Sequence, residues 1–232
     1  LTLFIFSGCE LGDMYDMDEI SGSVQDHEAV YKDPSKAQSL VDQLYALIPT
    51  FGTIRFNGYL SAYTDEAVEA SAVAFNLGSW SPNNIPGMND MWSGSYRAIR
   101  TANKFLENID KMPLSDQYGF TETTRSYLMN QARCLRAFYY AELIRCFGGV
   151  PVITTSVSDI SQDIAAAPRQ TLDSTVNFVI SEIDSVAPLL PRNVGGTDYG
   201  RVTRGFALSI KSRLLLYMAS PQIGRASCRE RV

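Results

Sequence analysis

Residues 132–151 read ARCLRAFYYAELIRCFGGVP, and this stretch decides the fold class. With Leu128 one turn earlier, Ala132, Leu135, Tyr139, Leu143 and Phe147 recur at steps of three and four. That period places them on one face of a long helix. The helix carries its own terminator. Gly148 can take the left-handed conformation that satisfies the last carbonyls, and Pro151 cannot continue the hydrogen-bond pattern.

Working outward, the same period appears four more times. Trp92, Tyr96, Ile99, Ala102, Leu106 and Ile109 form a second stripe, with Asn89 or Asp90 as the cap and Trp92 as a core residue. Thr203 caps a third, carrying Phe206, Ala207, Ile210, Leu214, Tyr217 and Met218. Its polar residues are few, so this helix is expected to be mostly enclosed. Asp33-Pro34 opens a helix with Ala37, Leu40, Val41, Leu44, Leu47 and Ile48 on one face, ended by Pro49. Thr171 caps the last, with Leu172, Val176, Val179, Ile183, Val186 and Leu190. Between Phe51 and Met88 the pattern breaks into apolar patches among Gly and Pro, which predicts a short helix near Asp65 to Ala74 and then a loop. Residues Leu114 to Phe120 predict another loop, and Val152-Ile153 a short extended piece. With long helices, loops and no sustained period-two run, the chain is all-α.

Three of these segments, in order, carry a family resemblance. They are Trp92-(x)3-Tyr96-(x)2-Ile99-(x)2-Ala102-Asn103-(x)2-Leu106; Leu135-Arg136-Ala137-Phe138 with Phe147-Gly148-Gly149-Val150-Pro151; and Gly200-Arg201-Val202-Thr203-Arg204-Gly205 running into Leu215-Leu216-Tyr217-Met218-Ala219-Ser220-Pro221. Across most of Pro34 to Pro221 the chain resembles the SusD/RagB family, the glycan-binding outer-membrane lipoproteins of Bacteroidetes-type bacteria. The resemblance implies a SusD-like fold of tetratricopeptide-type helix hairpins with long loops, although no clean 34-residue repeat is visible in the sequence. It also implies capture of an oligosaccharide or polysaccharide and its delivery to a SusC-like TonB-dependent transporter. Such proteins are longer, so the chain reads as the N-terminal half of one.

The N-terminal end fits a surface lipoprotein. The apolar start, Leu1 to Phe6, is far short of the ~20 residues that cross a bilayer, and residues 1–8 read as the remnant of a signal peptide. Phe6-Ser7-Gly8-Cys9 resembles a lipobox, which makes Cys9 the lipidated residue. The alternative is an ordinary buried cysteine after an apolar strand. Residues 9–33, with Glu10, Asp13, Asp16, Asp18 and Glu19, read as a solvated acidic tether, followed by one helical domain over 34–221. Residues 222–232 are abruptly basic, have no helical face and read as a non-native tail. The expected location is the outer membrane, surface-exposed and lipid-anchored.

Composition excludes other classes. At 232 residues and 45% hydrophobic, the chain can bury a sizeable core. A net charge of −5 and the lack of a basic run argue against a nucleic-acid partner. Cys134 and Cys146 lie roughly 18 Å apart on one helix, beyond disulfide reach. Neither a cofactor nor a metal is expected, since no metal spacing or phosphate loop is present. An enzyme is not expected either: the one histidine, His27, sits in the tether, and Asp65 and Glu66 are sequence neighbours that cannot flank a glycosidic bond.

A sugar needs a flat aromatic face against its C–H surface and amide or carboxylate groups to read its hydroxyls. Trp80, in the loop Gly78-Ser79-Trp80-Ser81-Pro82-Asn83-Asn84, is the first candidate. By resemblance to the starch-binding member of the family, Trp80 stacks and Asn83 hydrogen-bonds the glycan. The alternative is that Trp80 folds onto the helices and Asn83 makes an Asx-turn. Asp65, with Glu66, is a weaker third candidate, because acids at a helix start commonly serve the macrodipole. Arg136 and Glu142, charges in an apolar helix, are expected to be structural ion-pair members, and Asn103 to bond nearby backbone. A helical-repeat adaptor that binds peptide or protein is the alternative function.

Overall fold

The computed structural model describes residues 30–48, 88–156 and 167–221, together with positions 66–67, 78–79 and 81. Five α-helices stand out: α1 (Ala37–Ala46), α2 (Met88–Asn108), α3 (Glu122–Phe147), α4 (Leu172–Val186) and α5 (Arg204–Met218). Among the described residues there is no strand; a bridge pairs Ser115 with Phe120 around a 3-10 turn, Asp116–Tyr118. The all-α, hairpin-based expectation holds.

The cap chemistry forms as read. Asp33 accepts from the Ser35 N–H, Thr171 from Ser174 and Thr203 from Phe206, so local side chains satisfy the first free donors of each turn. Thr171→Ala is expected to cost about 1 kcal/mol, visible as a lower urea midpoint at unchanged slope. One cap differs from the reading: α2 begins at Met88, so Asn89 and Asp90 lie inside its first turn rather than before it.

Helix α3 is the axis of the bundle and touches all four others. Its six-residue stripe understates it. Arg136, Ala137, Phe138, Tyr140, Glu142 and Ile144 are buried as well, because helices pack on more than one side. Cross-contacts set the directions of the neighbours. Trp92 at the start of α2 meets Phe147 at the end of α3, ring centroids 5.0 Å apart. Tyr140 meets Phe178 at 5.2 Å while Arg133 reaches Glu182, so α4 runs antiparallel to α3. Lys211 bonds Asp184 as α5 folds back along α4. The pairs α2–α3, α3–α4 and α4–α5 are therefore antiparallel, each helix covering part of the apolar face of the last.

The Phe-Gly-Gly-Val-Pro segment after α3 is threaded between three helices, and its backbone groups are nearly all taken. Tyr96 Oη donates to the Pro151 carbonyl at 2.7 Å, Tyr140 Oη to that of Ile153 at 2.9 Å, and Asn103 Nδ2 to those of Ile153 and Thr155 at 3.0 Å each. Arg169 donates to the carbonyls of Phe147 and Gly149, neutralising the C-terminal end of α3. Gly148 has φ +74° as its role requires, with ψ −136° rather than the left-handed helical value. The Gly-Arg-Val-Thr segment is likewise structural. Arg201 bonds Asp42 and Asp198 and lies over the Tyr45 ring, tying the entry of α5 to α1.

Helix α5 corrects the expectation of enclosure. Only Ala207, Ile210 and Leu214 are buried, while Leu208, Leu215 and Leu216 are exposed, Leu216 by 72%. An apolar residue is covered only where an element packs on it, and no described residue packs on this outer face.

Candidate functional site

Each residue singled out for ligand or lipid, Trp80, Asn83, Asp65 and Cys9, lies outside the described residues. Beside them, Glu66, Gly78, Ser79 and Ser81 are exposed, and Gly78 has φ +63°. The chain enters α2 at Met88, at the end of the bundle where α3 finishes.

What stands behind that entry is a wall of rings. Trp92 packs on Tyr96 at 4.9 Å, Tyr96 on Tyr140 at 6.4 Å, and Tyr140 on Phe178 at 5.2 Å, a ladder crossing α2, α3 and α4. Trp92 is only half-buried, yet its ring packs on both Tyr96 and Phe147, so it belongs to the packing as expected. Burial drives the Tyr140 phenol up to about 12, and Tyr140 Oη both donates to and accepts from Ile153, which leaves it no chemistry to do.

The charges in α3 are structural, as read. Arg136 bonds Glu182 at 2.8 Å and Asn103 Oδ1 at 2.7 Å, and Arg133 bonds the other Glu182 oxygen at 2.9 Å. Glu142 pairs with Arg145 at 2.8 Å. Glu182 was missed by the sequence reading. It stands beside Ile183 in an amphipathic helix, and only the unanswered need of Arg136 for an anion pointed toward such a residue. Arg169 was missed too, because a clamp on carbonyls twenty residues away has no local signature.

No group of His, Cys, Asp or Glu among the described residues could hold a metal ion. Burial pushes the Cys134 thiol up to about 12, so it is an inert core residue. A cavity of about 140 Å³ between α3 and α5 is lined chiefly by Phe138, Ala141, Phe206, Ile210 and Leu214. Glu142, Arg145, Ser209, Arg213 and Tyr217 complete its lining, with Glu142 paired to Arg145 and Tyr217 Oη donating to the Arg145 carbonyl. None of the described helices is long and apolar enough to cross a membrane.

Comparison with known proteins agrees with this architecture. Residues 22–216 match the SusD-like family model described as starch-binding, associating with the outer membrane. The curated SusD-like protein P25 of Formosa agariphila is 21% identical over 216 residues, which is 88% of this chain and 40% of that protein. A crystal structure of a SusD-like protein from Bacteroides fragilis aligns with TM-score 0.65 at 27% identity, covering 87% of this chain and 38% of that one. A laminarin-binding SusD-like protein aligns with TM-score 0.66 at 20% identity, over 85% of this chain and 43% of that one. The chain thus spans about two fifths of the length of these relatives.

Proposed function

Because the chain belongs to the SusD-like family, we propose that the full-length protein is a surface-exposed, lipid-anchored outer-membrane protein that captures oligosaccharide or polysaccharide and delivers it to a SusC-like TonB-dependent transporter. The family match over residues 22–216 carries this reading. The packing accords with it, since the Arg136, Glu142 and Glu182 charges and the Tyr96, Tyr139 and Tyr140 hydroxyls all have structural partners. What remains is a rigid helical scaffold that presents loops, the arrangement in which recognition residues are commonly held.

Trp80 supplies the stacking face, Asn83 the amide that reads a sugar hydroxyl, and Asp65 a further acceptor. Cys9 carries the lipid, and the acidic residues after it form the tether. The mechanism is capture and release, with no covalent step.

Calorimetric titration of the full-length protein with a panel of glycans tests the reading. Binding of one glycan class is expected, with Trp80→Ala weakening it by about tenfold, the equivalent of about 1.4 kcal/mol and in the range of aromatic stacking. Unchanged affinity in the variant would remove Trp80 from the site. Failure of every glycan would favour the peptide-binding adaptor.

A further inference from the structure

The far end of the bundle carries an open groove that this function does not use. It lies between the first turns of α3 and the chain joining α4 to α5, with a volume of about 860 Å³. Its walls include Thr123, Ser126 and Tyr127 from α3 and Leu189, Pro191 and Asn193 from the connection. Thr123, Ser126 and Asn193 are exposed, and their side-chain polar atoms make no hydrogen bond to another described residue. Leu189 is 61% exposed beside them, and the Tyr127 hydroxyl is buried in the wall without a hydrogen-bond partner.

The chemistry of this lining narrows the ligand. No lysine or arginine lines the groove, so an anion finds no counter-charge there. Its two carboxylates are already engaged, Glu122 with Arg125 and Asp198 with Arg201, which leaves little for a cation. The free groups that remain are the Thr123 and Ser126 hydroxyls, the Asn193 amide and the enclosed Tyr127 hydroxyl, set beside an apolar strip of Leu189, Pro191 and the Tyr127 ring. A neutral saccharide presents the complement, an apolar C–H face edged by hydroxyls that each donate and accept.

We propose that this groove is a second contact site for neutral oligosaccharide, a reading that rests on the carbohydrate-binding function above. It is remote from the entry to α2, because Glu122 and Phe147 are at opposite ends of α3, some ~37 Å apart at 1.5 Å per residue. A long polysaccharide held at both ends would be retained more firmly than a short one, since the second engagement is intramolecular.

The test uses the full-length protein with laminarihexaose, maltohexaose, laminarin and starch, read by calorimetry and by hydrogen exchange of peptides spanning 122–127 and 189–195. One of these sugars is expected to protect both peptides. Ser126→Ala with Asn193→Ala, both exposed positions, should weaken that step at least fivefold and leave the Trp80-dependent step unchanged. Trp80→Ala should leave the protection in place. If a sugar binds but Trp80→Ala removes all binding and neither peptide is protected, the groove proposal is overturned while glycan capture stands. If none of the four binds, the groove proposal falls, and glycan capture is decided by the wider panel above.

Discussion

Replacing Gly149 by alanine should destabilise the protein by more than about 3 kcal/mol, whereas the neighbouring Gly148→Ala should cost about 1–3 kcal/mol. The two glycines are adjacent in sequence, yet they are needed for different reasons. A Cβ on Gly149 would stand 2.2 Å from the Gln170 carbonyl oxygen, 2.8 Å from the Leu172 nitrogen and 2.8 Å from the Thr171 carbonyl carbon. All three are backbone atoms, so no side chain can swing aside. Either the segment after α3 or the start of α4 has to move, and that disturbs the Val150–Thr175 contact and the Thr171 cap together. At Gly148 a Cβ would meet nothing within 4 Å, and the cost is only that of holding an L-residue at φ +74°. Urea unfolding of the two variants measures the order directly. A Gly149→Ala protein as stable as Gly148→Ala would mean that this close approach does not exist in solution.

That contrast marks what could be read from the residues. Thr171, Thr203, Gly148 and Asp33-Pro34 announced their element boundaries because capping involves side chains within about three residues of the backbone they satisfy. The need of Asn103 for backbone partners and of Arg136 for an anion was legible from the cost of burying them alone. Which partners answered was not. Ile153, Thr155 and Glu182 come from chain 46 to 52 residues away, brought in by helix packing rather than by any local pattern. The same limit explains α5. Its period of three and four correctly gave a helix, but the period cannot say which leucines find a neighbour, and Leu208, Leu215 and Leu216 do not among the described residues. The candidate sugar site rests on loop composition and family resemblance, and Trp80 and Asn83 lie outside the described residues. Sequence chemistry could nominate them, because a tryptophan between Gly, Ser and Pro has few ways to be fully covered, but could not aim them.

The second large effect concerns the carboxylate that joins α3 to α4. Glu182 is 14% exposed at its side chain and receives hydrogen bonds from Arg133 and from Arg136, itself 9% exposed. Burial acts to raise its pKa, but the two guanidinium hydrogen bonds and charges outweigh burial and hold the carboxyl below its ordinary value of 4.5. Removing the anion leaves Arg136 enclosed with Asn103 Oδ1 as its remaining bonded acceptor. Glu182→Ala should therefore cost about 3–5 kcal/mol, the usual result of breaking a buried pair from one side. At a few degrees per kcal/mol for a chain of this size, the melting temperature should fall by about 10 °C. The pH dependence follows from the direction of the shift. A folded-state value below the unfolded one stabilises the fold fully above about 4.5, and that stabilisation is lost as pH falls through the lower folded value. The stability gap between the native protein and Glu182→Gln, which keeps an acceptor but not the charge, should thus be widest near neutrality and shrink on acidification. Replacing both partners, Arg136→Met with Glu182→Leu, should recover stability relative to Glu182→Ala, because no uncompensated charge remains inside. Should the double variant prove no more stable than Glu182→Ala, or the gap to Glu182→Gln stay constant with pH, the charge on Glu182 is not what fastens these two helices.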